Sequence, residues 1–185
     1  MYTYRINLAT EIDGIYQAIE SNIKQDISKA EKILKIQEID DIDKFYDINE
    51  KSFIRQNKKM PYSREFSRAI DAELKLRGKR RITIAVDEQD QIHAGVYIIF
   101  DSSCAYYLWG GGDPALRNSG ATSLLLFDAI RDAKNKVMAF DFEGSMIKGV
   151  EKYVRAFGGT QTQYFEISKS TFIVSAAKQI KGFFK

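Results

Sequence analysis

The sequence is short of the residues that hold metals or crosslink a chain. Its 185 residues include one cysteine, Cys104, and one histidine, His93. A single cysteine excludes an internal disulfide, and one residue of each type cannot form the cysteine or histidine clusters that zinc sites use. We therefore expect no metal in the site. We interpret His93 as a strand residue without a catalytic role and Cys104 as a small buried residue.

Long apolar runs are also missing. No stretch reaches the roughly 18 consecutive apolar residues of a membrane-spanning helix, so we predict no membrane span. The residues after Met1 are polar and amphipathic, unlike the apolar region of a secretory signal. These two features favour a cytoplasmic protein.

The charges are nearly balanced, with 28 basic and 25 acidic residues and a formal net charge of +3. An excess this small does not require a nucleic-acid partner. The densest basic cluster lies over residues 75–81. It is either a solvated helix end and loop or a surface that steers an anionic ligand.

Apolar residues at intervals of three and four predict one helix or two helices in series over residues 11–36, and further helices over 40–57 and 63–77. Pro61 separates the second helix from the third, and Ser63 is a suitable N-cap. The inner face of the third helix is predicted from its apolar side chains, which are Phe66, Ala69, Ile70 and Leu74.

The apolar pattern then alternates, which predicts strands over residues 82–86, 93–100 and 104–109. Their links are too short for parallel crossovers, so we expect an antiparallel meander. The glycine run over residues 110–112 is expected to end the third strand. The next element is predicted as a helix with Leu125 and Leu126 on its apolar face. After it we predict a strand over 137–142, a helix over 148–156, a strand over 162–167 and a weaker helix over 170–184. This order predicts an α+β domain with a mixed, mostly antiparallel sheet flanked by helices.

The residues between the third strand and the next helix, Arg117 to Thr122, are suited to phosphate. A helix N-terminus offers unpaired N–H groups and partial positive charge. Gly120 would let the backbone approach a ligand, and Arg117 would add a charged contact. In the alternative interpretation, Asn118 or Ser119 caps the helix and Gly120 eases packing.

The stretch from Tyr106 to Ala121, followed by a helix, resembles the acyl-donor segment of GNAT acyltransferases. The consensus of that family, Gln/Arg-x-x-Gly-x-Gly/Ala, holds the pyrophosphate of coenzyme A. Arg117 and Gly120 match it, whereas Thr122 stands where the family prefers glycine or alanine.

Two later segments are similar to the Fem-like branch of the family, the relatives of the aminoacyltransferases that build peptidoglycan bridges. They are Phe140-Asp141-Phe142-Glu143-Gly144 and Tyr153-Val154-Arg155-Ala156-Phe157-Gly158-Gly159. The resemblance covers roughly residues 15–168. Full members carry two such halves, and this chain has length for one.

The resemblance implies a single bacterial GNAT-like domain over residues 1–185. It consists of a helical segment over 1–60, an acyltransferase core over 61–168 and a C-terminal helix over 169–185. It also implies acyl-CoA, such as acetyl-CoA, as cosubstrate. The residues implied in donor binding are Leu108, Trp109 and Gly110 for the pantetheine arm, and Arg117, Asn118, Ser119, Gly120, Ala121 and Thr122 for the pyrophosphate.

In GNAT chemistry an amine attacks a thioester directly, so the protein must take a proton from the amine and stabilise the leaving thiolate. Asp141 and Glu143 are the candidate bases, since alternation places both on one face of the strand end, opposite Phe140 and Phe142. In the alternative interpretation they belong to a hydrogen-bonded loop.

Tyr153 is the candidate acid that protonates the thiolate, as a tyrosine near this position does in many GNAT enzymes. Its alternative is a structural role. Tyr106, Tyr107 and Trp109 either line an acceptor pocket or belong to the core, where strand aromatics are common.

Three functions follow. The first is an N-acyltransferase that moves an acyl group from acyl-CoA to a small-molecule or peptide amine. The second is a Fem-like aminoacyltransferase that uses aminoacyl-tRNA. The third is a non-catalytic half-domain that pairs with a missing N-terminal half or with a second copy of itself.

Overall fold

The computed structural model describes residues 1–143, 148–165 and 167. The strands are β1 (Tyr2–Asn7), β2 (Lys35–Ile39), β3 (Arg80–Val86), β4 (Ile92–Phe100), β5 (Cys104–Gly112), β6 (Ala139–Asp141) and β7 (Thr160–Gln163). The helices are α1 (Ile12–Ala18), α2 (Ser21–Ala30), α3 (Ile42–Arg55), α4 (Arg64–Leu76), α5 (Ala121–Lys134) and α6 (Lys148–Arg155), with a 3₁₀ turn at Arg117–Ser119. The helix predicted over 170–184 lies outside the described residues.

The strands form one mixed sheet in the order β2-β3-β4-β5-β6-β1-β7. The β5–β6 pair is parallel and α5 crosses between its strands, while the other pairs are antiparallel. The predicted meander corresponds to β3, β4 and β5. The α+β class with a mixed, mostly antiparallel sheet is therefore confirmed.

One face of the sheet is apolar and packs against α1, α2 and α5. Alternate strand residues such as Ile6, Val96, Ile98 and Phe140 point to this face and join the largest buried cluster. The inner side of α5 supplies Leu125, Leu126, Ala129 and Ile130 to the same cluster. This packing fixes the start of α5 beside the end of β5.

The opposite face is partly covered by α3 and α4 and includes buried polar groups. Here α4 turns Ser67 and Asp71 inward, while Phe66 is 52% exposed and Ala69 is exposed. The predicted inner face of this helix was therefore wrong for these two residues. The reason is a buried network, because the Tyr97 hydroxyl donates to Asp71 Oδ1 at 2.8 Å and Arg80 Nε lies 3.0 Å from the same oxygen.

The segment predicted as helical over residues 1–60 also contains two strands. β1 lies between β6 and β7, and β2 pairs with β3. Of the two interpretations of residues 11–36, the two helices in series are present as α1 and α2, and they end before β2. β1 and β2 form because partners far along the chain offer them backbone hydrogen bonds, which the helical spacing of the nearby isoleucines does not reveal.

Several other boundaries differ from the predictions. β5 continues through the glycine run to Gly112, since β4 pairs with it as far as Ala94. β6 is shorter than the strand predicted over 137–142, and β7 begins and ends earlier than the strand predicted over 162–167. Cys104 is buried as predicted, and burial raises the pKa of its thiol to about 11. His93 is buried in β4, where Nε2 lies 3.1 Å from Asp87 Oδ2.

Candidate active site

The site is built around the point where β5 and β6 separate. The two strands pair only from Cys104, Ala105 and Tyr106 on β5 to residues 139–141 on β6. β5 then continues to Gly112. Among the described residues no strand pairs with this part of β5 on the β6 side, so the strand has a free edge that borders a cleft.

A β-bulge lies at the start of the free edge. Tyr107 pairs with Ile98 and Trp109 pairs with Tyr97, which leaves Leu108 as the extra residue. Leu108 and Trp109 both pack against the cluster on the α3–α4 face, and Trp109 stacks on Tyr62 with 4.7 Å between ring centroids. These two residues can therefore offer a donor only their backbone.

The cleft has a volume of about 580 Å³. It is bounded by the end of β5, the first turn of α5, one side of α6 and the C-terminal end of α3. Its lining residues include Gly110, Arg117, Thr122, Val150 and Tyr153. The structure thus places three residues expected to bind the donor, Gly110, Arg117 and Thr122, in one cleft. The same cleft contains Tyr153, the candidate acid.

Within the phosphate-loop candidate, Gly120 is required for packing. Its φ is +80°, and a Cβ at this position would lie 2.2 Å from the carbonyl oxygen of Asp26 on α2. Ser119 is buried and its Oγ accepts a weak bond from the Ala121 N–H at 3.4 Å, while Lys29 Nζ donates to the Asn118 carbonyl at 2.6 Å. These contacts match the packing interpretation for Gly120. Gly120 itself is the N-cap of α5, Ser119 adds one weak contact, and Asn118 takes part only through its carbonyl.

The same loop still presents groups that suit an anion. The helical bonds of α5 begin with the Leu124 N–H, which donates to the Gly120 carbonyl at 3.1 Å. The N–H groups of Thr122 and Ser123 precede it and have no partner within the helix. Thr122 and the exposed Arg117 line the cleft. The positive end of α5 and one guanidinium therefore lie at the cleft wall.

Tyr153 is half-buried, and its hydroxyl lies 2.9 Å from Ser123 Oγ. Burial raises the pKa of Tyr153 well above its usual range, so the phenol is protonated at neutral pH. Tyr107, whose pKa burial raises to about 12, borders the same cleft. Tyr153 therefore keeps its hydroxyl hydrogen, which it can present as a hydrogen bond to an anion that forms in the cleft.

Asp141 and Glu143 share one face, as alternation predicted, but they line a second and smaller cavity. This cavity has a volume of about 200 Å³ and is lined by Thr3, Arg5, Tyr106, Asp141, Glu143 and Tyr164. Both oxygens of Asp141 are occupied: Oδ1 accepts from Thr3 Oγ1 at 2.5 Å and from the Glu143 N–H at 2.8 Å, and Oδ2 accepts from Arg5 Nε at 2.6 Å. These contacts match the hydrogen-bonded interpretation for Asp141.

Glu143 differs from Asp141 because its side chain is exposed. Its backbone is in the left-handed region, with a φ of +61°. Partial desolvation of its carboxyl, followed by the nearby Asp141 charge, raises the pKa of Glu143. A carboxylate with a raised pKa is better suited to accept a proton near neutral pH.

Sequence reasoning missed the residues that tie distant elements to the site. Ser52 on α3 accepts from the Gly112 N–H at 2.9 Å and donates to the Gly112 carbonyl at 3.2 Å. Lys29 and Asn118 are 89 positions apart. Arg5 and Asp141 lie directly opposite each other on the adjacent strands β1 and β6, although they are far apart in sequence. No local motif marks these residues, because each acts through a contact with a remote part of the chain.

The described residues contain no group of three or more histidine, cysteine, aspartate or glutamate side chains that could hold a metal ion. In the same parts of the chain, every helix is too short or too polar to cross a bilayer.

A family model for the acetyltransferase (GNAT) domain matches residues 18–155. Since this match spans more than half of the chain, the protein belongs to the GNAT acetyltransferase family. Among curated protein sequences, none matches the chain.

Solved structures show the same fold. FemX superposes with a TM-score of 0.78 at 10% identity, over 87% of this chain and 59% of the FemX chain. An aminoglycoside acetyltransferase from an uncultured soil metagenomic sample gives a TM-score of 0.56 at 14% identity, over 76% of this chain and 98% of the other. A predicted acetyltransferase with acetyl-CoA from Clostridium acetobutylicum gives 0.54 at 17% identity, over 77% and 98%. The chain thus spans a little over half the length of FemX, and the fold is that of the GNAT proteins, including Fem-type ones.

Proposed function

We propose that the protein is an N-acyltransferase that moves an acyl group from acyl-CoA to an amine. The observation that supports this most is the free edge of β5, which leads along the cleft from the strand separation at Tyr106 to the start of α5. Acyl-CoA has an amide-containing arm and a pyrophosphate. The free edge of β5 suits the arm, and the start of α5 suits the pyrophosphate.

The arm would pair with the backbone at Gly110. The Asp113 N–H donates to the His93 carbonyl on β4, so at this end of β5 the backbone N–H and carbonyl groups of odd-numbered residues point to β4. The backbone groups of Gly110 and Gly112 therefore point to the free edge. Ser52 occupies both groups of Gly112, which leaves Gly110 for a pantetheine amide, with the backbone of Leu108 next along the same edge. Trp109 is odd-numbered and pairs with Tyr97, so its backbone groups face β4 and not the donor.

The pyrophosphate would lie at the start of α5. The N–H groups of Thr122 and Ser123 and the guanidinium of Arg117 provide the donors. Ala121 contributes less, because its N–H already faces Ser119 Oγ. Asn118, Ser119 and Gly120 would shape the loop through their contacts with α2 instead of touching the donor.

The reaction would be a direct attack of the amine nitrogen on the thioester carbon. A C–N bond forms as the C–S bond breaks, Glu143 takes the proton lost by the nitrogen, and Tyr153 gives its proton to the leaving thiolate. Asp141 would hold Arg5 and the backbone of Glu143. The phenol of Tyr153 recovers its proton from solvent after the products leave.

Calorimetric titration with acetyl-CoA tests the donor. We expect micromolar binding to the wild type and roughly tenfold weaker binding to Arg117→Ala, which corresponds to about 1.4 kcal/mol. Arg77→Ala is the matched control, since Arg77 is exposed at the end of α4 and pairs only with the neighbouring Glu73 among the described residues.

The absence of binding to any acyl-CoA by a folded protein would overturn the proposal. Two further experiments then separate the alternatives. Retention of an aminoacyl-tRNA on the protein would favour the Fem-like reaction, and a stable self-association would favour the non-catalytic half-domain.

A further inference from the structure

Two separate cavities are lined by neighbouring residues of β5 at the point where β5 and β6 separate. Tyr106 and Tyr107 are consecutive on β5 and point to opposite faces. Tyr107 lines the donor cleft, and Tyr106 lines the smaller cavity, called here the Arg5 pocket. The gap between β5 and β6 begins at these two residues, so an acceptor in the Arg5 pocket would reach a thioester beside Tyr107 through that gap.

Arg5 is held in a fixed position at this pocket. Its Nε donates to Asp141, whose carboxylate is only 4% exposed and is itself held by Thr3 and by the Glu143 N–H. Among the described residues, the terminal nitrogens of Arg5 make no hydrogen bond, and the side chain is 45% exposed. A guanidinium anchored through one nitrogen keeps a planar pair of donors for a carboxylate.

The charges of the pocket suit a molecule with both signs. The buried Asp141 offsets the charge of Arg5, and Glu143 adds an exposed carboxylate on the same face. An ammonium group is attracted to Glu143, while a carboxylate fits the free side of Arg5. The volume of about 200 Å³ limits the occupant to a small molecule or one end of a larger one.

We infer that the Arg5 pocket is the acceptor site and that it takes an amino acid with a free carboxylate, held by Arg5, and its reacting amine beside Glu143. This inference rests on the proposed acyl transfer for its chemistry. Arg5 acts in it as a binding residue, and Asp141 positions Arg5 without touching the acceptor.

Binding is tested first, without any donor. Saturation-transfer NMR would compare L-alanine and L-lysine with L-alaninamide and L-lysinamide, which keep the amine and lose the carboxylate. We expect signals from the two acids and at least tenfold weaker ones from the amides. Arg5→Lys keeps a charge beside Asp141 but removes the planar pair of donors, so it should reduce the preference for the acids to about twofold. Arg68→Lys, an exposed and ion-paired arginine on α4, is the control and should leave the preference unchanged.

Turnover with acetyl-CoA separates the two proposals. A wild-type preference for the acids in kcat/KM that disappears in Arg5→Lys supports the acceptor site. Equal use of acids and amides by a protein that binds acetyl-CoA would overturn the inference and leave the donor assignment intact. Arg5-dependent binding of the acids by a protein that binds no acyl-CoA would overturn the donor assignment and keep the pocket.

Discussion

The two faces of the sheet are stabilised in different ways, and the candidate site lies where they meet. On the α5 face, Leu125, Leu126 and Ile130 fill a continuous apolar cluster. On the α3–α4 face, separate small apolar clusters alternate with specific polar contacts such as Tyr97 to Asp71 and Asn49 to Tyr62. Apolar packing depends on volume and tolerates neighbours of similar shape, whereas a buried hydrogen bond requires one particular partner. The face without a continuous core therefore has room for the open Arg5 pocket.

The largest effect is expected from a cavity on the apolar face. Leu125→Ala should lower the free energy of unfolding by about 3 kcal/mol, since the side chain is fully buried and its removal leaves a void. Urea denaturation measures this. Leu76→Ala, at a position that is 83% exposed, is the control and should change stability by less than about 0.5 kcal/mol. Equal losses in the two variants would contradict the role of Leu125 in the continuous apolar cluster of the α5 face.

The second-largest effect is expected on the rate of the reaction, from a residue on the α5 side of the cleft. Tyr153→Phe should lower kcat about 100-fold, because the thiolate loses its proton donor while the ring keeps its packing against Phe157. Affinity for acetyl-CoA, measured by calorimetry, should stay within about twofold of the wild type, because the phenol acts on the leaving group. An unchanged kcat would assign Tyr153 to the core alone.

A smaller effect is expected from the polar face. Asp71→Asn keeps an acceptor for Tyr97 but removes the charge beside Arg80, and we expect a loss of about 2 kcal/mol. The loss stays below that of a fully isolated buried charge because Arg80 also pairs with Asp40. Thermal unfolding would measure it. Donor binding should not change, so a weaker affinity for acetyl-CoA would show that the two faces are coupled.

The smallest effect is expected where the faces meet. Ser52→Ala removes both contacts to Gly112 and should cost about 1 kcal/mol of stability. It should also raise the KM for the donor a few-fold, because the end of the free edge is no longer held to α3. Ser52→Thr keeps the hydroxyl and should restore the wild-type KM. A KM that is the same in all three proteins would limit Ser52 to a structural role.

Local patterns predicted the middle of the fold well. β3, β4, β5 and α5 have strong alternation or helical spacing within a few residues, and each lies close to its predicted range. β1 was missed because it is short and its partners lie more than a hundred positions away. The inward face of α4 was wrong because a buried polar network, not the apolar stripe, determines how the helix is oriented.

The candidate site could be predicted only in part for the same reason. Arg117, Thr122 and Tyr153 lie at element ends with recognisable local patterns, and the fold brings them to one cleft. Arg5, Lys29 and Ser52 have no such pattern, since their role depends on Asp141, Asn118 and Gly112 across the structure. Asp141 and Glu143 were correctly placed on one face, but their cavity on the other side of the sheet could not be foreseen without the topology.

The position of β1 has a consequence for how the chain is synthesised and folds. Its residues leave the ribosome before Ala139–Asp141 and Thr160–Gln163, the segments with which they pair. Closing so long a loop carries an entropic cost that local hairpins such as β3–β4 avoid, and it slows folding. β1 must therefore wait with both edges unpaired until β6 and β7 have been synthesised. Because Arg5 lies on β1 and Asp141 on β6, the Arg5 pocket is completed only when this last strand joins the sheet.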